Sequence, residues 1–332
     1  HIQLFRKHGK VIYPATPCLE ISLDNIDEIV ANIRQKIENP NRALTVAVYN
    51  NKGGVGKTTT TVNLAAVLQR AAHKKILIVD FDPNQQDLTN SLGIALSEEK
   101  VYNALTNRDV DIRSAIQTYS LMHKGKDFKF FDIIPADKKL VDRDEVKLRQ
   151  ILKMDTLRQK LKSVMSEYDY ILIDSPPNWR VFSQLAVCAA DVVLIPAKHN
   201  NIFSLENAAL AIKQFLPEAQ KERGDGAPIA LPIFFNGEKT TSKQVEVAKQ
   251  AIKDILKKAK SESFDLLPYF YPKYTSSSKN DRIFEIPSYA NIASAAFSRI
   301  PAAYRDKTAN EYYLNLAKEY LFFKPKICFY KL

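Results

Sequence analysis

The chain has 332 residues, 45% hydrophobic and 26% charged, with Lys and Arg exceeding Asp and Glu by 11. That length supports one large α/β domain with an extension, or two modest domains. No apolar run approaches the length of a membrane-crossing helix, and three widely spaced cysteines (Cys18, Cys188, Cys328) argue against a disulfide framework or a CxxC zinc site and for a reducing cytoplasm.

The chain opens on His1 rather than Met, which points to a processed or trimmed product, with no secretory signal at its start. Residues 1–43 read as an extension. A basic stretch (Arg6, Lys7, His8, Lys10) precedes a helix that Asp24 can cap, with Ile26, Ile29, Val30, Ile33 and Ile37 at helical spacing and Asn39-Pro40-Asn41 as its end. From 44 onward, short apolar runs alternate with helical stretches. Strands are expected over 44–49, 75–81, 130–134, 168–174, 192–196, 229–235 and 266–271, with a helix over 58–72. Such alternation predicts an α/β fold: a doubly wound, mostly parallel sheet flanked by helices. Cys188 sits in the run Leu185-Ala186-Val187-Cys188-Ala189-Ala190 and reads as a small buried apolar residue. The polar run 274–282 reads as a mobile loop.

The segment that carries chemistry is Asn50-Asn51-Lys52-Gly53-Gly54-Val55-Gly56-Lys57-Thr58-Thr59, set between a strand and a helix. Glycines let backbone N–H groups turn inward around a phosphate, and the helix start adds unpaired N–H groups and a positive dipole end. Lys57 can bridge the β- and γ-phosphates of a nucleotide, and the Thr58 hydroxyl can ligate Mg²⁺. The ordinary phosphate loop has Gly where Asn51 stands, and Lys52 is gained. Asp80 and Asp82 close one buried strand and Asp174 another, at the carboxyl edge where α/β sheets collect ligands. Side chains at 80 and 82 share a face of an extended strand, and an aspartate at 174 suits holding magnesium through water.

The run from Lys52 to Thr59 resembles the deviant Walker A box of the ParA/MinD family. Val79-Asp80-Phe81-Asp82-Pro83-Asn84-Gln85 resembles that family's second motif, and Tyr168-Asp169-Tyr170-Ile171-Leu172-Ile173-Asp174-Ser175-Pro176-Pro177 its Walker B strand. Ala295-Ala296-Phe297, Ile300-Pro301 and Leu316-Ala317-Lys318-Glu319-Tyr320-Leu321 resemble its closing helices, so the likeness runs over about 44–321. It implies an ATP hydrolase whose cofactors are ATP and Mg²⁺, divided as an extension (1–43), an ATPase domain (44–322) and a tail (323–332). By resemblance, Lys52 reaches the partner copy's nucleotide in a sandwich dimer, Asp82 orients or activates the attacking water, and Asp80 lies near Mg²⁺. The residues Lys52, Gly53, Gly54, Val55, Gly56, Lys57, Thr58 and Thr59 would hold the nucleotide. Asn236 stands where the family often contacts the base, and Pro287 could form the other wall; a turn Asn before Gly237 and a rigid Pro turn are the plainer readings.

The helix over 241–260 carries Ala248, Ile252, Ile255, Leu256 and Ala259 as an apolar stripe, with Lys249, Lys253, Lys257 and Lys260 beside it. With Arg282 and Arg299, and with Lys273, Lys279 and Arg305, these lysines could lie against DNA phosphates; a solvated basic face is the alternative. The ParA-like expectation is therefore an ATP-dependent homodimer in the cytoplasm, on the nucleoid, that binds DNA non-specifically and is reset by an adaptor that stimulates hydrolysis. A MinD-like membrane switch would need an amphipathic C-terminal helix, and Pro325 interrupts the tail. A nitrogenase-type reductase would need paired cysteines for an iron–sulfur cluster, and only Cys188 lies in the relevant region. A bacterial tyrosine kinase would carry a clustered tyrosine tail, which Tyr312, Tyr313, Tyr320 and Tyr330 do not form. The cargo is not legible.

Overall fold

The computed structural model describes residues 42–141, 145–237, 239–271 and 283–321, together with the backbone of three short strands nearer the N-terminus. Those strands, β1 (Phe5–Lys7), β2 (Lys10–Ile12) and β3 (Glu20–Ser22), form an antiparallel sheet that the sequence reading did not anticipate. The helix expected over 24–37, the loop over 274–282 with Lys273, Lys279 and Arg282, and the tail 323–332 lie outside the described residues.

The main sheet has seven strands, in the order β11 (Ile229–Ala230), β9 (Val192–Leu194), β4 (Leu44–Val48), β8 (Tyr170–Asp174), β5 (Ile76–Asp80), β7 (Lys126–Ile134) and β6 (Gln117–His123). Its centre is β4 (Leu44–Val48), β5 (Ile76–Asp80) and β8 (Tyr170–Asp174), all parallel. Alternate residues of these strands enter different cores. Ala47, Leu77, Val79, Ile171 and Ile173 face one, and Val46, Val48, Ile76, Ile78 and Leu172 face the other. Apolar side chains on both faces are what a parallel strand covered by helices on two sides requires. This matches the expected doubly wound architecture.

The edge differs from expectation. β7 (Lys126–Ile134) is longer than the apolar run 130–134 and pairs antiparallel with β6 (Gln117–His123). The polar start Gln117-Thr118 hides β6 from a periodicity search, since only its Tyr119 is buried. β9 (Val192–Leu194) continues after Ile195 as β10 (Pro196–Ala197). The strand expected over 229–235 is likewise two pieces, β11 (Ile229–Ala230) on β9 and β12 (Phe234–Asn236) on β10. Pro232 lies in the gap, and it has no N–H to give a ladder. A further strand, β13 (Phe284–Ile286), pairs with β12. The strand expected over 266–271 is instead a helical turn, Leu267–Phe270, with Pro268 in its first turn, where a missing N–H costs nothing. Its apolar residues pack as a helix would, with Tyr269 and Phe270 buried.

The helices that matter for the site are α1 (Lys57–Ala72), α2 (Asp87–Leu92), α3 (Val181–Ala189), α4 (Ile202–Leu210), α5 (Leu216–Arg223), α6 (Ser242–Ser261) and α7 (Lys307–Tyr320). The middle of α1 is buried from Thr60 to Leu68, and its Asn63 carboxamide accepts from the Ala303 N–H at 2.9 Å. Cys188 on α3 is buried, and burial pushes its thiol up to about 11, so it is an inert packing group. α6 begins at a capping box of Thr241 and Gln244, and Ala248, Ile252 and Ala259 turn inward as expected. At the end of α5, Arg223 is almost fully buried and holds Asp225 (2.9 Å) and Asp191 (3.5 Å). Asp191 also accepts from Arg42 (3.0 Å) and from the Thr45 N–H (3.1 Å), which fastens the start of β4.

Candidate active site

Register places three strand ends side by side. Val48 of β4 and Asp80 of β5 are both partners of Asp174 on β8. The chain leaves β4, crosses through α1 and returns as β5, so the loop 49–56 opens over that carboxyl edge.

Two glycines set the loop's path. Gly54 (φ 73°) and Gly56 (φ 86°) are left-handed, a region that side chains with Cβ disfavour. Gly53 and Gly54 are exposed, with open space where a Cβ would stand. Gly56 is the N-cap of α1 and supplies no side-chain cap, so the first turn of α1 keeps unpaired N–H groups. This is the geometry that binds an anion. The loop's base is pinned from the far side. Asn50 donates to the carbonyls of Pro196 (2.8 Å) and Ser204 (3.0 Å), and Asn51 donates to Asn207 of α4 (3.0 Å). These anchors were missed in the sequence because their partners lie about 150 residues away.

Lys57 is buried and donates to the Lys52 carbonyl at 3.2 Å. Burial lowers its pKa, against the pull of Asp174 and Asp82. Thr58 Oγ1 donates to Asp174 Oδ2 at 2.6 Å, while Asp174 Oδ1 is buried and makes no hydrogen bond. Burial, then the nearby Asp80, pushes Asp174 up to about 8; the Thr58 hydroxyl and Lys57 act in the opposite direction. Asp82 is also raised by burial, and its Oδ1 accepts from the Gln85 N–H at 3.2 Å.

The fit to Mg²⁺ can be tested on these atoms. Among the described residues no three carboxylate, imidazole or thiol groups converge as direct ligands. A hydroxyl and a carboxylate with one unpaired buried oxygen do converge, at Thr58 and Asp174. That set suits a magnesium ion that keeps most of its waters. Asp80 fits less well than expected. Its Oδ2 accepts from the Thr89 N–H (2.9 Å) and hydroxyl (2.6 Å), and its Oδ1 from the Asp82 N–H (3.3 Å). Burial raises it to about 6 against those hydrogen bonds.

Asn236 closes the loop from beneath. Its amide donates to the carbonyls of Val55 (3.1 Å) and Gly56 (3.2 Å) and to Thr60 Oγ1 (3.2 Å). The amide nitrogen is thus committed to the phosphate loop. Asn236 and Ile286 are register partners on β12 and β13, which brings the exposed Pro287 beside Gly237. Lys52 is half-buried at the loop's rim, and Val55 is buried. Lys249, Lys253, Lys257 and Lys260 are exposed along α6, with Lys249 paired to Glu246 at 2.8 Å. Arg299 is exposed and distant in sequence from α6, and Arg305 donates to Ser298 at 2.6 Å. Among the described residues no helix is long and apolar enough to cross a membrane.

Residues 43–223 match a family described as an AAA domain. The chain is 37% identical over 155 residues to the sporulation initiation inhibitor protein Soj of Bacillus subtilis, covering 46% of the chain and 57% of that protein. The chain therefore spans little more than half of that relative. It is 30% identical over 251 residues to the chromosome partitioning protein ParA of Myxococcus xanthus, covering 74% of the chain and 78% of that protein. Among solved structures, Cyanothece McdA in complex with ATP overlays with a TM-score of 0.60 at 21% identity, over 83% of this chain and 97% of that one. A pNOB8 ParA bound to nonspecific DNA overlays with a TM-score of 0.52 at 21% identity, over 83% and 99%. At such identities these two likenesses are of fold.

Proposed function

The chain belongs to the ParA/MinD family of P-loop ATPases, and from that premise we propose a ParA-like, magnesium-dependent ATP hydrolase whose ATP-bound form is a two-copy sandwich on DNA. One observation carries the reading: an uncapped helix start behind two left-handed glycines, with Lys57, Thr58 and Asp174 gathered at the same strand ends. The amides of 53–59 grip the β- and γ-phosphates, and Lys57 exchanges the Lys52 carbonyl for phosphate oxygens. Thr58 and Asp174 hold magnesium, which when bound neutralises developing phosphate charge. Asp82 orients the attacking water. Lys52, on the rim, completes the pocket of the second copy, which makes the deviant loop a dimer switch as well as a binding loop. Asn236 and Pro287 border the base, with Asn236 acting first through the loop it supports.

The lysines of α6, with Arg299, form the DNA face. The family's partition relatives support that reading, as does the excess of 11 positive charges. An adaptor that stimulates hydrolysis resets the cycle in the cytoplasm, on the nucleoid.

Light scattering after size exclusion, with ATP, ADP or no nucleotide, tests the switch. The expected result is a dimer with ATP alone. Lys57→Ala should lose nucleotide binding, and Asp82→Ala should trap the dimer with turnover abolished. Normal turnover in Asp82→Ala would move the water-orienting role to another carboxylate. A gel shift on random-sequence DNA should show binding with ATP that disappears as salt rises. Binding to anionic vesicles and not to DNA would overturn the DNA face.

A further inference from the structure

Asp80 lies beside Asp174, yet its hydrogen bonds run into the polypeptide that follows it. Both donors of Thr89 reach one carboxylate oxygen, the N–H at 2.9 Å and the hydroxyl at 2.6 Å, while the Asp82 N–H reaches the other at 3.3 Å. The Thr89 hydroxyl oxygen also accepts from the Ala136 N–H at 2.9 Å, just beyond β7. One fully buried hydroxyl therefore joins the end of β5, the start of α2 and the segment after β7. Between Asp80 and Thr89 runs the turn that carries Asp82. It is closed by Gln85 N–H to Asp82 Oδ1 (3.2 Å) and Gln86 N–H to the Asp82 carbonyl (2.9 Å), and Gln86 turns into α2 at φ 57°.

We propose that Thr89 is a positioning residue, which clamps Asp80 so that the turn bearing Asp82 is held in one place over the phosphate loop. Hydrogen bonds to a buried carboxylate are among the stronger ones a protein makes, and a hydroxyl that donates to one group and accepts from another couples the two. Without the clamp, the stretch 82–87 is held at its two ends by the Phe81 N–H on the Asp174 carbonyl (3.0 Å) and by the buried Leu88, and between them by its own short turn. Asp80 then serves chiefly as the anchor of the neighbouring carboxylate's loop, rather than as a ligand in its own right. This inference rests on the reading of Asp82 given above.

Thr89→Val keeps the shape and removes the hydroxyl, whereas Thr89→Ser keeps the hydroxyl. For Thr89→Val, kcat should fall about tenfold or more, as expected for a reacting group displaced by a fraction of an ångström. The Kd for a fluorescent ATP analogue in magnesium should change less than about twofold, because the grip of the phosphate loop does not run through Thr89. Amide hydrogen exchange over 82–88, in nucleotide-free protein, should speed up about tenfold more than exchange in the core strand β8, even though the domain melts somewhat lower. Thr89→Ser should restore both readouts. Unchanged kcat, unchanged exchange, or equal damage from Ser and Val would overturn the proposal. If Thr89→Val does not fold, Thr89→Ala is judged by the same criteria. Failure of the wild-type chain to hydrolyse ATP, with or without DNA, would sink the proposed function instead; the exchange measurement still reads the clamp.

Discussion

Alanine at Gly56 should damage the loop in a way that depends on Asn236, and the dependence can be worked from the structure. The left-handed backbone at φ 86° would cost an alanine about 1–2 kcal/mol. Its Cβ would also land on the Asn236 amide nitrogen, which holds Val55, Gly56 and Thr60. Moving that amide away frees three acceptors that share its two hydrogens, a loss of about 2–3 kcal/mol. Gly56→Ala should therefore lose about 3–5 kcal/mol. Asn236→Ala removes the same contacts and should lose about 2–3 kcal/mol. In the double variant the shortened side chain makes room for the Cβ, and the bonds are lost once, not twice. The pair should then cost about as much as Gly56→Ala alone, a coupling of about 2–3 kcal/mol. Equilibrium unfolding in urea, without nucleotide, measures all three variants. Additivity within about 0.5 kcal/mol would refute the claim that Asn236 supports the loop through Gly56.

Arg223→Ala should destabilise the domain by about 3 kcal/mol, since it strips two carbonyls and two carboxylates of a buried cation. Arg42 and Arg158 keep Asp191 and Asp225 partly paired at 3.0 and 2.7 Å, which limits the loss; a change below about 1 kcal/mol by calorimetry would show that they suffice alone. A pH series gives a further test at Asp174. A carboxyl raised to about 8 in the folded chain, against an unfolded value near about 4, takes up a proton on folding. Its effect on stability is therefore most favourable at low pH and is lost as pH rises through that window. Nucleotide-free Asp174→Asn should accordingly melt above wild type at pH 8, with the gap closing toward pH 5. A gap that widens toward low pH would mean the carboxylate is stabilised, not strained, by its surroundings.

Much of the site was legible because its signals are local. Glycines, a lysine and a hydroxyl at fixed spacing before a helix, and aspartates at the ends of apolar runs are each read within about ten residues. Other features resist such reading. β6 shows only Tyr119 to the core, and Leu266-Leu267-Pro268-Tyr269-Phe270-Tyr271 satisfies a strand pattern and a helical turn equally well. The hydrogen-bond partners of Asn236 and Asp80 resist it for the same reason, because each is chosen by the folded chain.

The alternation of central parallel strands with helices, the phosphate loop and the placing of Asp80, Asp82 and Asp174 at or just past strand ends were determined by sequence alone, since side-chain period and backbone sterics act over a few neighbouring residues. Which strands adjoin, which carboxylate keeps a free oxygen and what braces the loop were decided only in three dimensions. Asp174 keeps one oxygen unpaired because Thr58, 116 positions away, reaches only the other, whereas Thr89 pairs one oxygen of Asp80 and the Asp82 N–H pairs the second. Hydrogen-bond partners are chosen by the packed chain, and burial makes those choices costly to reverse.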